Sequence, residues 1–175
     1  MKTTLAFLLL LLSTGVFAQR NLKFPETWAG TWKGQVNWFK TGSDTATKVD
    51  MELRIHPTLT PGQWTWQIMY GGAGEDERPY TLKLVDSTAG HWIIDENNGI
   101  ILDQYLVSGK LCGMFTVGNS TILNNYWREG DNLVVEFFSI NAKPSGSTGK
   151  GTRESPSVDA YRIGGYQRAV LVREY

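Results

Sequence analysis

Few side chains in this chain of 175 residues could do acid–base work: the histidines His56 and His91, the single cysteine Cys112, and the carboxylates Asp95, Asp103 and Glu136, with Tyr105 near them in the strand pattern described below. A carboxylate or histidine facing an enclosed lumen could carry a proton to or from a substrate, which is the chemistry of a lyase or isomerase. Nothing firmer is present. The sequence has no nucleophile elbow, no HExxH helix and no pair of cysteines or histidines at metal-binding spacing. Gly146-Ser147-Thr148-Gly149-Lys150 approaches a phosphate-binding loop, but Pro144 stands where the first glycine is required and Gly151 where Ser or Thr must follow the lysine. Gly74-Glu75-Asp76-Glu77 is acidic without the alternating oxygen ligands of a calcium loop, and reads as a solvated turn. Asn119-Ser120-Thr121 is a formal glycosylation sequon. His56 precedes Pro57 at a strand end and is expected in an exposed loop; Cys112 reads as a small apolar group in a strand. No catalytic and no metal-ligating residue is assigned on these grounds.

Binding chemistry is better represented. In FPETWAGTWKGQVNWF, residues 24–39, Trp32 and Trp38 share a parity with Gly34 and Val36, whereas Thr31, Lys33, Gln35 and Asn37 take the other. Successive side chains on a strand point to opposite faces, so this stretch has one aromatic face and one wet face. Trp64, Trp66, Ile68 and Tyr70 repeat the pattern. Such a face either lines a cavity for an apolar or ring-bearing ligand or fills a core. Trp32 is expected to fill the closed end; Trp38, Trp66 and Tyr70 are the residues proposed to line a lumen.

About ten short segments have strand chemistry, at roughly 30–39, 47–56, 63–70, 78–86, 91–96, 100–107, 110–117, 121–127, 132–140 and 160–175, with turn residues between them. Reading Asn98-Gly99 as a two-residue hairpin turn sets Trp92 opposite Tyr105 and Ile93 opposite Gln104. The same rule at Ser108-Gly109, Gly118-Asn119 and Glu129-Gly130 keeps one face in register over five strands. That face carries one formal charge in 17 positions and the other face three, so it is assigned inward. Its polar members, His91, Gln104, Asn124 and Tyr126, must pair with each other, with water or with a ligand head group, because a buried unpaired polar group costs about 1–3 kcal/mol. Trp92, Tyr105, Trp127 and Phe138 then fall on an outer aromatic face that could dock a partner or a carbohydrate. Residues 141–159, rich in Gly, Ser and Pro and almost without apolar content, are expected to form a flexible loop before the last strand.

Residues 1–18 combine an early lysine, an apolar run from Leu5 to Leu12 and a small-residue site at Val16-Phe17-Ala18, as in a secretory signal peptide. The apolar run is too short to span a bilayer, so no integral membrane segment is expected after cleavage and the protein should be secreted or periplasmic. The formal net charge is zero before cleavage, which gives no support for nucleic-acid binding. One cysteine permits no internal disulfide, so stability must come from a packed core.

An even number of antiparallel strands joined by short turns can close on itself and leave no edge. In an all-β, up-and-down antiparallel barrel of about ten strands spanning residues 19–175 as one domain, the start of the first strand meets the end of the last, bringing Trp32 near Arg173 rather than Arg168. Here the chain resembles the calycin superfamily of lipocalin, fatty-acid-binding and nitrobindin-like barrels. Gly30-Thr31-Trp32 matches their Gly-x-Trp, and Arg173 their last-strand arginine stacked on that tryptophan. The Thr-Asp-Tyr motif of the classical lipocalins is absent, and ten strands are closer to the fatty-acid-binding and nitrobindin-like branches. The resemblance implies a secreted protein that holds a small hydrophobic molecule in its lumen, or a lumen enzyme on the same barrel. Nitrobindin-like proteins bind haem through a histidine near the C-terminus; the final segment here has none, and no cofactor is expected.

Overall fold

Alternation of apolar and polar residues at period two produces strands almost throughout. The computed structural model describes residues 23–72 and 74–175; the expected signal peptide, residues 1–18, lies outside the described residues. A short 3-10 turn at Glu26–Trp28 precedes β1 (Gly30–Lys40), β2 (Thr47–Ile55), β3 (Gln63–Tyr70), β4 (Asp76–Asp86), β5 (His91–Asp95) and β6 (Ile101–Val107). Then come β7 (Lys110–Val117), β8 (Ser120–Glu129), β9 (Asn132–Asn141), β10 (Gly146–Thr148), β11 (Val158–Ala160) and β12 (Ile163–Glu174). The molecule is all-β. Ten of these strands form a closed antiparallel barrel in which each pairs with its neighbours in sequence, and β12 closes on β1, while β10 and β11 form a separate hairpin.

Closure places Trp32 opposite Arg173, as expected. Arg168 instead pairs with Glu136 and Asn37, and its guanidinium lies 3.8 Å from Glu129. The guanidiniums of Arg173 and Arg128 each sit 4.7 Å from the Trp32 ring centroid. Both donate to the Thr27 carbonyl, at 3.0 and 2.8 Å, and Trp32 Nε1 donates to the Trp28 carbonyl at 2.8 Å. Gly30 has a reason to be glycine: its φ is 145°, and a Cβ there would come 3.1 Å from Arg173 Nε. Phe24 packs edge-on against Trp28 and Trp92, and Trp92 against Trp64. Aromatic rings thus fill this end of the barrel.

Two turn expectations need correction. The turn between β5 and β6 has three residues, Asn97-Asn98-Gly99, closed by the Glu96 amide donating to the Ile100 carbonyl, with Asn97 at φ 59°. One extra residue moves the β5 pairing by one: His91 faces Tyr105, Trp92 faces Gln104 and Ile93 faces Asp103. Every β5 side chain therefore changes face, so His91 points outward while Trp92 and Ile94 are buried inside. The turn after β8 is Gly130-Asp131 rather than Glu129-Gly130, which shifts pairing by two residues and leaves the faces as assigned. Within the 141–159 excursion, Gly146–Thr148 pairs with Val158–Ala160, and the Ser145 amide and hydroxyl both donate to the Ala160 carbonyl, so the segment organises its own backbone although it has no core to cover.

Candidate functional site

Opposite the plugged end, the lumen widens into a cavity of about 720 Å³. Ten strands make a barrel too wide for side chains alone to fill. Its floor is built by β3, β6 and β8, which bring Trp66, Gln104, Asn124 and Tyr126 together; Trp66 and Gln104 are fully buried, and Asn124 and Tyr126 nearly so. Tyr126 meets the Trp66 ring edge-on at 5.0 Å and the Phe137 ring at 5.7 Å. The walls are Ile68, Ile94, Leu102, Phe115, Ile122 and Phe137. The mouth, formed where β3, β5, β7 and β9 end, carries Tyr70, Arg78, Tyr80, Glu96, Ser139 and Gln167.

Polar groups in this lumen are held by specific contacts. Asn124 Nδ2 donates to Gln104 Oε1 at 2.8 Å. The Gln104 amide reaches across β7 to do so, and Gly113 makes that reach possible, because a Cβ at Gly113 would overlap the whole amide. Trp66 Nε1, Gln104 Nε2 and Asn124 Oδ1 are buried without a hydrogen-bond partner. At the mouth, Arg78 lies 4.9 Å over the Tyr70 ring and donates to both oxygens of Asp76, at 3.0 and 2.7 Å. Burial pushes the Tyr70 phenol up to about 12, and the adjacent Arg78 only partly offsets it. Burial raises Tyr126 further still, and raises Tyr80 with help from the Glu96 carboxylate. At neutral pH the lumen thus presents neutral phenols and amides, with its charges at the rim.

Trp66, Tyr70, Gln104, Asn124 and Tyr126 of the expected lumen residues all line this cavity. Trp38 has the inward parity of Trp32 but lies near the end of β1, 43% exposed, beside Gln167 of the mouth and not itself among the residues that line the cavity. His91 is on the outer surface, stacked on Tyr105 with ring centroids 4.8 Å apart and with Nε2 2.7 Å from Asp103 Oδ1. The carboxylates considered for acid–base work lie outside too: Asp95 pairs with Lys83, Asp103 with His91, and Glu136 accepts from Tyr166 at 3.0 Å. Of the expected outer aromatic face, Trp92 is in the core, whereas Trp127 does lie outside with the Lys110 ammonium 4.3 Å from its ring centroid. Burial raises the Cys112 thiol, consistent with an inert side chain.

Sequence reasoning missed Gly113, Arg78, Tyr80 and Glu96. The signal for Gly113 was a glycine inside a strand without a turn to explain it, which marks close approach by another group. A second depression of about 460 Å³ lies on the outside of β1–β3, where Lys33, Glu52 and Arg54 pair among themselves. Among the described residues there is no cluster of three or more metal-ligating side chains, and no helix is long and apolar enough to cross a membrane. No family model matches this sequence, and a search of curated proteins returns no match.

Proposed function

We propose that this chain is an exported barrel of calycin type that binds a small, largely apolar, ring-bearing molecule in its lumen. The cavity of about 720 Å³ carries the reading: its volume falls within the range of small-molecule sites, and it combines aliphatic and aromatic walls with a few convergent polar groups. Edge-to-face partners at Trp66, Tyr126 and Phe137 favour a flat aromatic or polycyclic body over a flexible chain. The Gly30, Trp32 and Arg173 arrangement at the plugged end supports the calycin affiliation, and the signal-peptide pattern of residues 1–18 supports export. Mass spectrometry of the purified mature protein under native and then denaturing conditions tests this. A small molecule lost between the two supports lumen binding and gives the ligand's mass; equal masses, together with failure to take up a lipophilic fluorescent probe, would contradict it.

A further inference from the structure

Two unpaired polar atoms lie together in the floor, Gln104 Nε2 from β6 and Asn124 Oδ1 from β8, the free ends of the bonded amide pair; Trp66 Nε1 from β3, whose ring packs on Tyr126, lines the same cavity and is also unpaired. Such groups are uncommon singly in native proteins, so three lining one cavity call for a partner. Turning both amides over would reverse the Asn124–Gln104 bond and still leave one donor and one acceptor unmatched. The floor therefore offers donors and an acceptor side by side whichever way the amides lie.

We infer that the floor recognises a neutral head group bearing both a hydrogen-bond acceptor and a donor, a carboxamide or lactam edge, with the apolar body of the ligand directed to the mouth. This inference rests on the lumen-binding reading and specifies its ligand. Neutrality follows from charge placement: the charged residues lining the cavity, Arg78 and Glu96, are both at the rim. An ionised carboxylate or ammonium at the floor would be buried without a counter-ion, which is strongly unfavourable. The three atoms are covered by their neighbours, but terminal amide torsions are soft. Gly113 leaves open the space in which the Gln104 amide lies, and Gln104 borders the cavity there. A site built to hydrogen-bond a group discriminates strongly against an analogue lacking it, since the protein atoms are then left unpaired.

The test is calorimetric titration with three compounds of nearly equal shape: 2-naphthamide, 2-acetylnaphthalene, which keeps the acceptor and lacks the donor, and 2-isopropylnaphthalene, which has neither. Wild-type protein is expected to bind the amide at least about tenfold more tightly than the ketone. In the double variant Gln104→Met, Asn124→Leu, which removes the amide pair as a unit rather than orphaning one partner, that ratio should fall to within about threefold. Equal wild-type affinities for amide and ketone, with the isopropyl compound bound, would overturn the head-group inference and leave lumen binding standing. Failure of all three compounds to bind would remove both. If the double variant does not fold, the wild-type ratio decides alone, and Trp66→Phe, which keeps a ring and loses the indole donor, should weaken amide and ketone alike.

Discussion

Trp32 and Trp38 share one face of β1, yet depth along the barrel axis gives them different roles. Trp32 is fully buried under two guanidiniums, and Trp32→Ala should cost about 3–5 kcal/mol in urea unfolding, as expected for deletion of a large core side chain. Trp38 is 43% exposed at the rim, so Trp38→Ala should cost under about 1 kcal/mol and leave probe uptake unchanged. Parity alone made both look inward, since a period of two reports which face a side chain takes and carries nothing about depth. Gln104, Asn124 and Tyr126 were legible for the same reason, their parity being correct and their depth happening to coincide with the cavity floor. Arg78 and Glu96 were not, because charged residues flanking a turn look the same at a cavity rim as on any solvated surface. Tyr70 gives a pH dependence. Its phenol ordinarily ionises near 10 and is held protonated to about 12 in the fold, so the folded state binds more protons in that interval. The stability contributed by Tyr70 is present below pH 10 and is lost as pH rises towards 12. Thermal melts across that window should show a shallower decline for Tyr70→Phe than for wild type.

At the level of elements, the hairpin from β5 to β6 decides which side chains are inside. Asn98-Gly99 is a strong two-residue turn signal, but Asn97 itself takes a left-handed backbone, with the Asp95 carboxylate accepting from its amide at 2.8 Å and the Pro79 carbonyl accepting from its side chain at 2.6 Å. The second of these contacts involves a residue on another strand, β4, and no local pattern around Asn98 announces it. The register they fix is testable: Trp92→Ala should cost about 3–5 kcal/mol in chemical denaturation, and His91→Ala under about 1 kcal/mol. The reverse order would restore the two-residue turn. The seam between β1 and β12 makes a second demand, because a Cβ at Gly34 would approach the Val170 carbonyl oxygen to 2.6 Å. Gly34→Ala should therefore force the closing strands apart and cost about 1–3 kcal/mol, read as a lower denaturation midpoint. By contrast, the ten barrel strands were legible to within a few residues from alternation and turn chemistry, because both are local properties of the chain.

For the whole molecule, closure and lumen size arise from the same strand number. An even count of antiparallel strands, with a tryptophan opening the first and an arginine ending the last, was enough to anticipate a closed barrel and the Trp32–Arg173 pairing. The size of the cavity was not legible in this way, since it depends on how far the aromatic plug reaches along the axis and how the inward side chains share the remaining width. We propose that this lumen, rather than the outer surface, takes up a small apolar molecule. Ile122 lies on the cavity wall with space before it, so Ile122→Trp should occupy the lumen with little loss of melting temperature. The most direct measurement is titration of a lipophilic fluorescent probe into wild type and Ile122→Trp side by side. Wild type should take up one probe per chain saturably, and the variant at least about tenfold more weakly; equal uptake by the two proteins, or none by wild type, would rule out lumen binding.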